Sequence, residues 1–213
     1  ARQGTFTSAR GDVYKGQWLD NKRHGKGTYT DAEGDVYKGQ YKNNLEHGIG
    51  TYTFENGDIY IGEFKYSDFN GYGTLFSDGR VYKGQWLNDK RNGEGIQTYE
   101  NGGVYKGQWL DNKRHGEGTM EYADGGVYKG QWLNNKNMGD GTMEYKSGNT
   151  YKGQWLNNQK NGEGTMEYAD GGVYKGQWLN DLLHGQGAIK YPGESKFTKG
   201  TWEKNKKILI VED

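Results

Sequence analysis

Val104-Tyr105-Lys106-Gly107-Gln108-Trp109-Leu110, followed by Asp111-Asn112-Lys113-Arg114-His115-Gly116 and Glu117-Gly118-Thr119-Met120-Glu121-Tyr122, is one period of a pattern that fills this 213-residue chain. Its first stretch is aromatic and β-branched with period-2 alternation, which reads as a strand. Residues 111–116 read as a polar turn, 118–122 as a second strand, and Ala123-Asp124-Gly125-Gly126 as a second turn. Each period is therefore a β-hairpin, and successive hairpins continue as an antiparallel meander. Glycine interrupts every candidate helical window.

The leading tyrosine recurs at Tyr14, Tyr37, Tyr60, Tyr82, Tyr105, Tyr128, Tyr151 and Tyr174, in steps of 23 residues apart from one of 22 between Tyr60 and Tyr82. A fixed period of this size marks a repeat architecture, in which each unit packs mainly on its neighbours. The expected fold is all-β: a single-layer twisted antiparallel meander of about eight hairpin repeats, some seventeen strands, forming an elongated groove. Residues 1–13 form a partial N-terminal repeat, 14–198 eight repeats, and 199–213 a degenerate repeat with a capping strand. That last strand is Lys206-Lys207-Ile208-Leu209-Ile210-Val211, the one continuous aliphatic run, placed to cover the open edge of a sheet. The chain enters the pattern in mid-phase at Gly4-Thr5-Phe6 and lacks an initial methionine, so it is expected to be part of a longer protein.

Alternation sorts the side chains onto two faces. Tyr105, Gly107 and Trp109 point one way, whereas Val104, Lys106, Gln108 and Leu110 point the other. Rings lying over the glycines of adjacent strands would explain why so many glycines are needed. Lysine and glutamate columns on the other face suit cross-strand pairing or plain solvation. A single layer is expected to leave its aromatic face half exposed, and exposed contiguous apolar surface marks interaction sites.

With 38 glycines and 31% hydrophobic residues, the aromatics (15%) must replace an aliphatic core. Twenty-eight basic and 28 acidic residues give zero formal charge, which offers nothing global to attract nucleic acid. No cysteine is present, excluding disulfides and Cys-ligated zinc. His24, His47, His115 and His184 share one repeat position, but neighbours two strands apart stand roughly 10 Å from each other, too far to share an ion. Gly-x-Gly recurs without the following Lys-Ser/Thr of a phosphate loop. The chain reads as a non-enzyme without metal or cofactor.

The pattern Tyr-x-Gly-x-Trp, then His-Gly-x-Gly, as in Tyr105-Lys106-Gly107-Gln108-Trp109 with His115-Gly116-Glu117-Gly118, resembles the MORN (membrane occupation and recognition nexus) repeat, in eight tandem copies. The resemblance implies a twisted, groove-bearing antiparallel sheet. It also implies diverse settings: scaffolds of cilia and the cytoskeleton such as the radial spoke head, membrane junctions, and accessory segments of lipid kinases or a lysine methyltransferase. With no appended enzyme in sight, a cytoplasmic scaffold in a ciliary, axonemal or other cytoskeletal assembly is expected.

Three sets of residues follow as candidate sites. A protein-binding groove, suited to an amphipathic helix or an extended segment, is drawn from Tyr14, Trp18, Tyr37, Tyr41, Tyr60, Phe64, Tyr82, Trp86, Tyr105, Trp109, Tyr128, Trp132, Tyr151, Trp155, Tyr174 and Trp178. Departures from the pattern, Ile49, Ile61, Tyr66, Phe69, Tyr72, Leu182 and Leu183, are read as docking positions for neighbouring chains, including copies of this one, with Phe69, Leu182 and Leu183 at turns. Lys22, Arg23, Lys90, Arg91, Lys113 and Arg114 gather on one long edge, where they would serve a peripheral membrane tether that binds anionic phospholipids. A regulatory segment of a larger enzyme is the remaining alternative.

Overall fold

Aspartate and asparagine tolerate left-handed backbone, and paired left-handed residues make the type I′ turn whose twist matches a hairpin. The chain uses that turn in every repeat. In the computed structural model, which describes residues 1–210, Asp20-Asn21, Asn43-Asn44, Asp111-Asn112, Asn134-Asn135 and Asn157-Asn158 all have both φ values positive. The polar turn is therefore two residues long, not six. The Lys-Arg-His stretch that follows it is already strand.

Nineteen strands are described, all antiparallel to their partners. They fall into two compact units, one of residues 1–100 and 109–112, the other of 101–108 and from 113 onward. The first holds β1 (Arg2–Thr7), β2 (Val13–Leu19), β3 (Lys22–Thr30), β4 (Val36–Lys42), β5 (Leu45–Thr53), β6 (Ile59–Lys65), β7 (Asp68–Ser77), β8 (Arg80–Leu87) and β9 (Lys90–Thr98), paired in chain order. After β10 (Val104–Leu110), the second unit repeats the scheme with β11 (Lys113–Glu121), β12 (Val127–Leu133), β13 (Lys136–Glu144), β14 (Thr150–Leu156), β15 (Gln159–Glu167), β16 (Val173–Leu179), β17 (Leu182–Lys190), β18 (Thr198–Glu203) and β19 (Lys206–Ile210). The aliphatic run at the C-terminus is this last strand, paired on β18; its Val211 lies outside the described residues. The single 22-residue period is absorbed between β7 and β8, where the two-residue turn Asp78-Gly79 replaces the five-residue loop 122–126 of a regular repeat.

The core lies within the layer. Each leading tyrosine lies flat over a glycine pair contributed by its own strand and the next, such as Gly16 and Gly27 under Tyr14, where a Cβ would overlap the ring. Its hydroxyl donates to the carbonyl three residues on: Tyr14 to Gln17 (2.9 Å), Tyr37 to Gln40 (2.8 Å), Tyr174 to Gln177 (3.0 Å). The aromatic residue four positions on meets the ring edge-on, and so does its counterpart from the next repeat. Tyr128, for example, stands 5.2 Å from Trp132 and 5.3 Å from Trp155, centroid to centroid, near perpendicular to both. The indole N–H of Trp132, Trp155 and Trp178 donates to the glycine carbonyl of the strand before. All eight tyrosines are at most 2% exposed. The half-exposed aromatic face expected of a single layer is not what forms.

Strict alternation also fails at one place per repeat. Opposite Gln108 and its equivalents the partner strand carries extra residues, as the register jump between Gly153/Gly164 and Trp155/Lys160 shows. This bulge holds its glycine left-handed (Gly116 φ 62°) and frees the next N–H. The glutamine side chain accepts it: Gln108 from Glu117 (3.1 Å), Gln154 from Glu163 (2.9 Å), Gln177 from Gln186 (2.9 Å). The glutamine expected to be merely solvated thus satisfies a backbone donor in six of the eight repeats, and Glu63 does so in the third.

A methyl group at Gly164 would collide with the Tyr151 ring. Gly164→Ala is therefore expected to lower stability by about 1–3 kcal/mol, read as a reduced midpoint in thermal unfolding followed by circular dichroism.

Candidate functional site

The face that carries the tyrosines is closed by one further residue per repeat, directly opposite the second aromatic. The pairs are Trp18 with Arg23, Tyr41 with Glu46, Phe64 with Phe69, Trp86 with Arg91, Trp132 with Asn137, Trp155 with Lys160 and Trp178 with Leu183. Arg23 lies over Tyr29 and Tyr41, Arg91 over Trp109 at 4.6 Å and Arg114 over Trp132 at 4.3 Å. The backbone N–H of this lid residue donates to the turn side chain one repeat later, Arg23 to Asn44 (2.8 Å), Arg114 to Asn135 (2.8 Å) and Lys160 to Asp181 (2.8 Å). The turns therefore staple consecutive hairpins.

These placements redistribute the expected sites. The aromatic set Tyr37, Tyr41, Tyr60, Phe64, Tyr82, Trp86, Tyr105, Trp109, Tyr128, Trp132, Tyr151, Trp155, Tyr174 and Trp178 is buried, as is Tyr14, with Trp18 half-buried. Of the basic edge, Lys22, Lys90 and Lys113 are exposed, whereas Arg23, Arg91 and Arg114 are half-buried on the rings. Phe69 does not occupy an exposed turn tip. It is in β7, stacked on Tyr60 at 3.7 Å with planes 7° apart, and meets Phe64 and Trp86 edge-on. Leu182 and Leu183 are likewise strand residues and half-buried. Tyr66 is exposed, in the turn between β6 and β7.

Ile49, Ile61 and Tyr72 remain, and all three lie on the opposite face, exposed by 60%, 47% and 60%. Cross-strand register extends the set. One row runs Lys15, Thr28, Lys38, Thr51, Ile61, Thr74, Lys83, Ile96 from β2 to β9. The adjacent row runs Val13, Thr30, Val36, Thr53, Ile59, Phe76, Val81, Thr98, without a charge. Phe76, on the strand next to Ile61, and Ile96, three strands from it beyond Lys83, are exposed and were missed in the sequence; the signal was there, since each replaces a Thr or Glu of other repeats. In the second unit the same rows carry Lys129, Lys152 and Lys175 opposite threonines and Glu121, Glu144 and Glu167 beside them. Of the two outcomes expected for these columns, pairing or plain solvation, no ion pair joins Lys129, Lys152 or Lys175 to Glu121, Glu144 or Glu167 among the described residues.

The open clefts of this face are floored by glycine backbone. In the first unit a cleft of about 560 Å³ is lined by Lys15, Lys26, Lys38, Gln40 and Ile49 over Gly16, Gly27 and Gly39. In the second, one of about 870 Å³ is lined by Glu117, Lys129, Asp140, Lys152 and Thr165 over Gly130, Gly141 and Gly153. Among the described residues no group of three His, Cys, Asp or Glu could hold a metal ion. His24, His47, His115 and His184 are strand residues, each beside its repeat's bulge glycine.

The MORN-repeat model matches residues 14–36, 37–59, 60–79, 82–104, 105–127, 128–150, 151–173 and 174–195. The chain belongs to the MORN-repeat family. No curated protein matches its sequence. Among solved structures it is similar to the TCP10 domain of Danio rerio CPAP in complex with a peptide of Danio rerio STIL, at 16% identity and TM-score 0.55, covering 99% of this chain and 94% of that one. The same domain without peptide matches at 14% identity and TM-score 0.50, covering 99% and 100%. The G-box domain of the microcephaly protein CPAP matches at 16% identity and TM-score 0.50, covering 90% and 99%. At such identities the likeness is one of fold. It corrects the radial-spoke expectation: the solved structures that match are TCP10 and G-box domains of CPAP.

Burial pushes the Tyr145 and Tyr174 phenols up to about 12 and raises those of Tyr37, Tyr60, Tyr82, Tyr128 and Tyr151 in the same direction. An unfolded tyrosine ionises near pH 10. Between that pH and the folded values, the unfolded chain releases protons that the folded chain keeps. Stability present below about pH 10 is therefore lost as pH rises toward 12. Denaturant midpoints should fall across that window, while the phenolate absorbance of these buried rings appears only with unfolding. In contrast to the alkaline loss, Phe69→Ser is expected to cost on the order of 2 kcal/mol at neutral pH through the lost stack, and Tyr66→Ser less than about 0.5 kcal/mol.

Proposed function

We propose that this member of the MORN-repeat family is a non-catalytic scaffold that binds an extended segment of a partner protein across the lysine–threonine face of its first unit. The observation that carries this reading is the run of five exposed large apolar side chains, Ile49, Ile61, Tyr72, Phe76 and Ile96, on one face of β5–β9. Positions of this kind elsewhere in the array hold Lys, Glu or Thr, so neither the repeat nor the sheet requires apolar groups there. Contiguous apolar surface on a soluble protein marks an interaction site. The buried aromatic set contributes by holding the face in shape, and Tyr66 lies at a turn where a partner could extend. The division into a partial repeat (1–13), eight repeats (14–198) and a closing segment (199–213) places this patch in the second to fourth repeats.

The complex of the CPAP TCP10 domain with a STIL peptide supports a peptide as ligand, since a domain of the same fold binds one there. The CPAP G-box structure was taken to suggest a role in centriole elongation. By analogy, this chain acts in the cytoplasm in a cytoskeletal assembly, with the cilium and its axoneme as the setting to examine. The membrane-tether alternative loses ground because three of the six expected edge cations are folded onto rings.

Selection of a random 12-residue peptide library displayed on phage against the full chain tests the reading. Enriched peptides should bind wild type and lose at least tenfold in affinity to the double variant Ile61→Ser/Tyr72→Ser, whose circular dichroism should match wild type. No enrichment, or enriched peptides indifferent to the double variant, would remove the proposal.

A further inference from the structure

The apolar patch has a charged neighbour. Lys15, Lys26 and Lys38 are exposed around the cleft over Gly16, Gly27 and Gly39, with Gln3, Gln40 and Ile49 completing its wall and no acidic side chain lining it. None of the three has a carboxylate within 4.0 Å among the described residues. The second unit differs: its cleft sets Glu117 and Asp140 beside Lys129 and Lys152, so its charges offset one another. The first unit's lysines are thus uncompensated, and the row that contains Lys15 and Lys38 continues through Thr51, Ile61 and Thr74 to Lys83 and Ile96. Ile49 belongs to both features, at the cleft's wall and at the patch's margin.

We infer that the first unit is a polar-ended peptide site whose ligand is an acidic–apolar segment: Asp or Glu residues at one end, seated on Lys15, Lys26 and Lys38, and large apolar residues at the other, seated on Ile61, Tyr72, Phe76 and Ile96. This rests on the proposed peptide-binding function and names the chemistry of its partner. The dimensions agree. Seven strand spacings of about 4.8 Å separate β2 from β9, or roughly 34 Å, which an extended chain spans in about ten residues. Gly16, Gly27 and Gly39 floor the cleft between the lysines, and Thr28, opposite both Lys15 and Lys38, is small enough to leave their ammonium groups open to a carboxylate. Opposite charge at one end fixes the direction of the segment and speeds encounter, while the apolar end slows release. A segment basic at the cleft end is rejected by like charge.

The same 12-residue library, selected in parallel on wild type and on Lys15→Gln/Lys26→Gln/Lys38→Gln, separates this inference from the reading beneath it. Wild type should enrich peptides with two or more acidic residues at one end and apolar residues at the other. The triple variant should lose the acidic bias but keep the apolar one. A synthetic consensus peptide should bind the triple variant at least tenfold more weakly than wild type, and its affinity for wild type should fall as sodium chloride is raised from 50 to 500 mM. Enriched peptides with no acidic excess, or a consensus affinity unchanged by the triple variant, overturn the acidic end and leave peptide binding standing. Failure to enrich any peptide removes both. Phosphatidylserine vesicles provide the last arm: co-sedimentation lost in the triple variant but untouched by Ile61→Ser/Tyr72→Ser would identify a lipid surface and overturn the peptide ligand.

Discussion

The structure depends on a tyrosine ring lying flat on two glycines. A sheet normally buries one face against a second layer. Here the second layer is supplied by the sheet's own side chains. A ring can lie down only if the positions beneath it carry no Cβ, so each Tyr commits a Gly in its own strand and another in the next. Its hydroxyl, brought to the backbone by that posture, finds the carbonyl three residues on. Burying each ring removes roughly 150–250 Å² from water, on the order of 4–6 kcal/mol before ordering entropy is subtracted. The remaining conserved-looking features of a repeat follow from it: the second aromatic clamps the ring's edge, and the lid residue covers its upper side.

That constraint divides the labour between the faces. The ring face is used up in holding the sheet together. The lid varies widely among Arg23, Glu46, Phe69, Arg91, Asn137, Lys160 and Leu183, because almost any side chain with enough carbon can cover a ring. On the other face, nothing beyond the bulge glutamine is demanded. Its rows can change from Lys and Glu to Ile and Tyr without disturbing a ring or a bulge, and between β5 and β9 they do. Specificity accumulates where the fold asks least.

Much of this was legible in the sequence, and the misses share one cause. Period, strands and the sorting of Tyr, Gly and Trp onto one face came from spacing alone. Alternation was then carried through the turn and bulge as if the strands were regular. The Asp-Asn and Asn-Asn pairs are type I′ turns in themselves, so Arg114 and Phe69 belong to strands. The bulge turns Gly116 toward Gln108, whereas Gly118 returns to the Tyr105 ring. Exposure was misjudged through the same turn. Whether a ring in a single layer stays wet depends on the lid, and the lid had been placed in the turn. Once Arg114 is on the strand, its guanidinium over Trp132 and its N–H on Asn135 follow from register.

The 22-residue period shows how the two faces stay independent. Shortening the connection between β7 and β8 to Asp78-Gly79 lets pairing continue through Ser77 and Arg80, beyond the last pair of other hairpins. Phe69 and Phe76 come from the same strand and illustrate opposite fates of an apolar substitution. Phe69 stands at a lid position and is absorbed by Tyr60. Phe76, seven residues on and past the bulge, stands on the open face opposite Ile59 and Val81 and stays exposed. An odd interval puts two strand residues on opposite faces, and the bulge between them leaves that parity unchanged, since Gly73 still lies under the Tyr60 ring. Here face, not hydrophobicity, decides which aromatic belongs to the core and which is left for a partner.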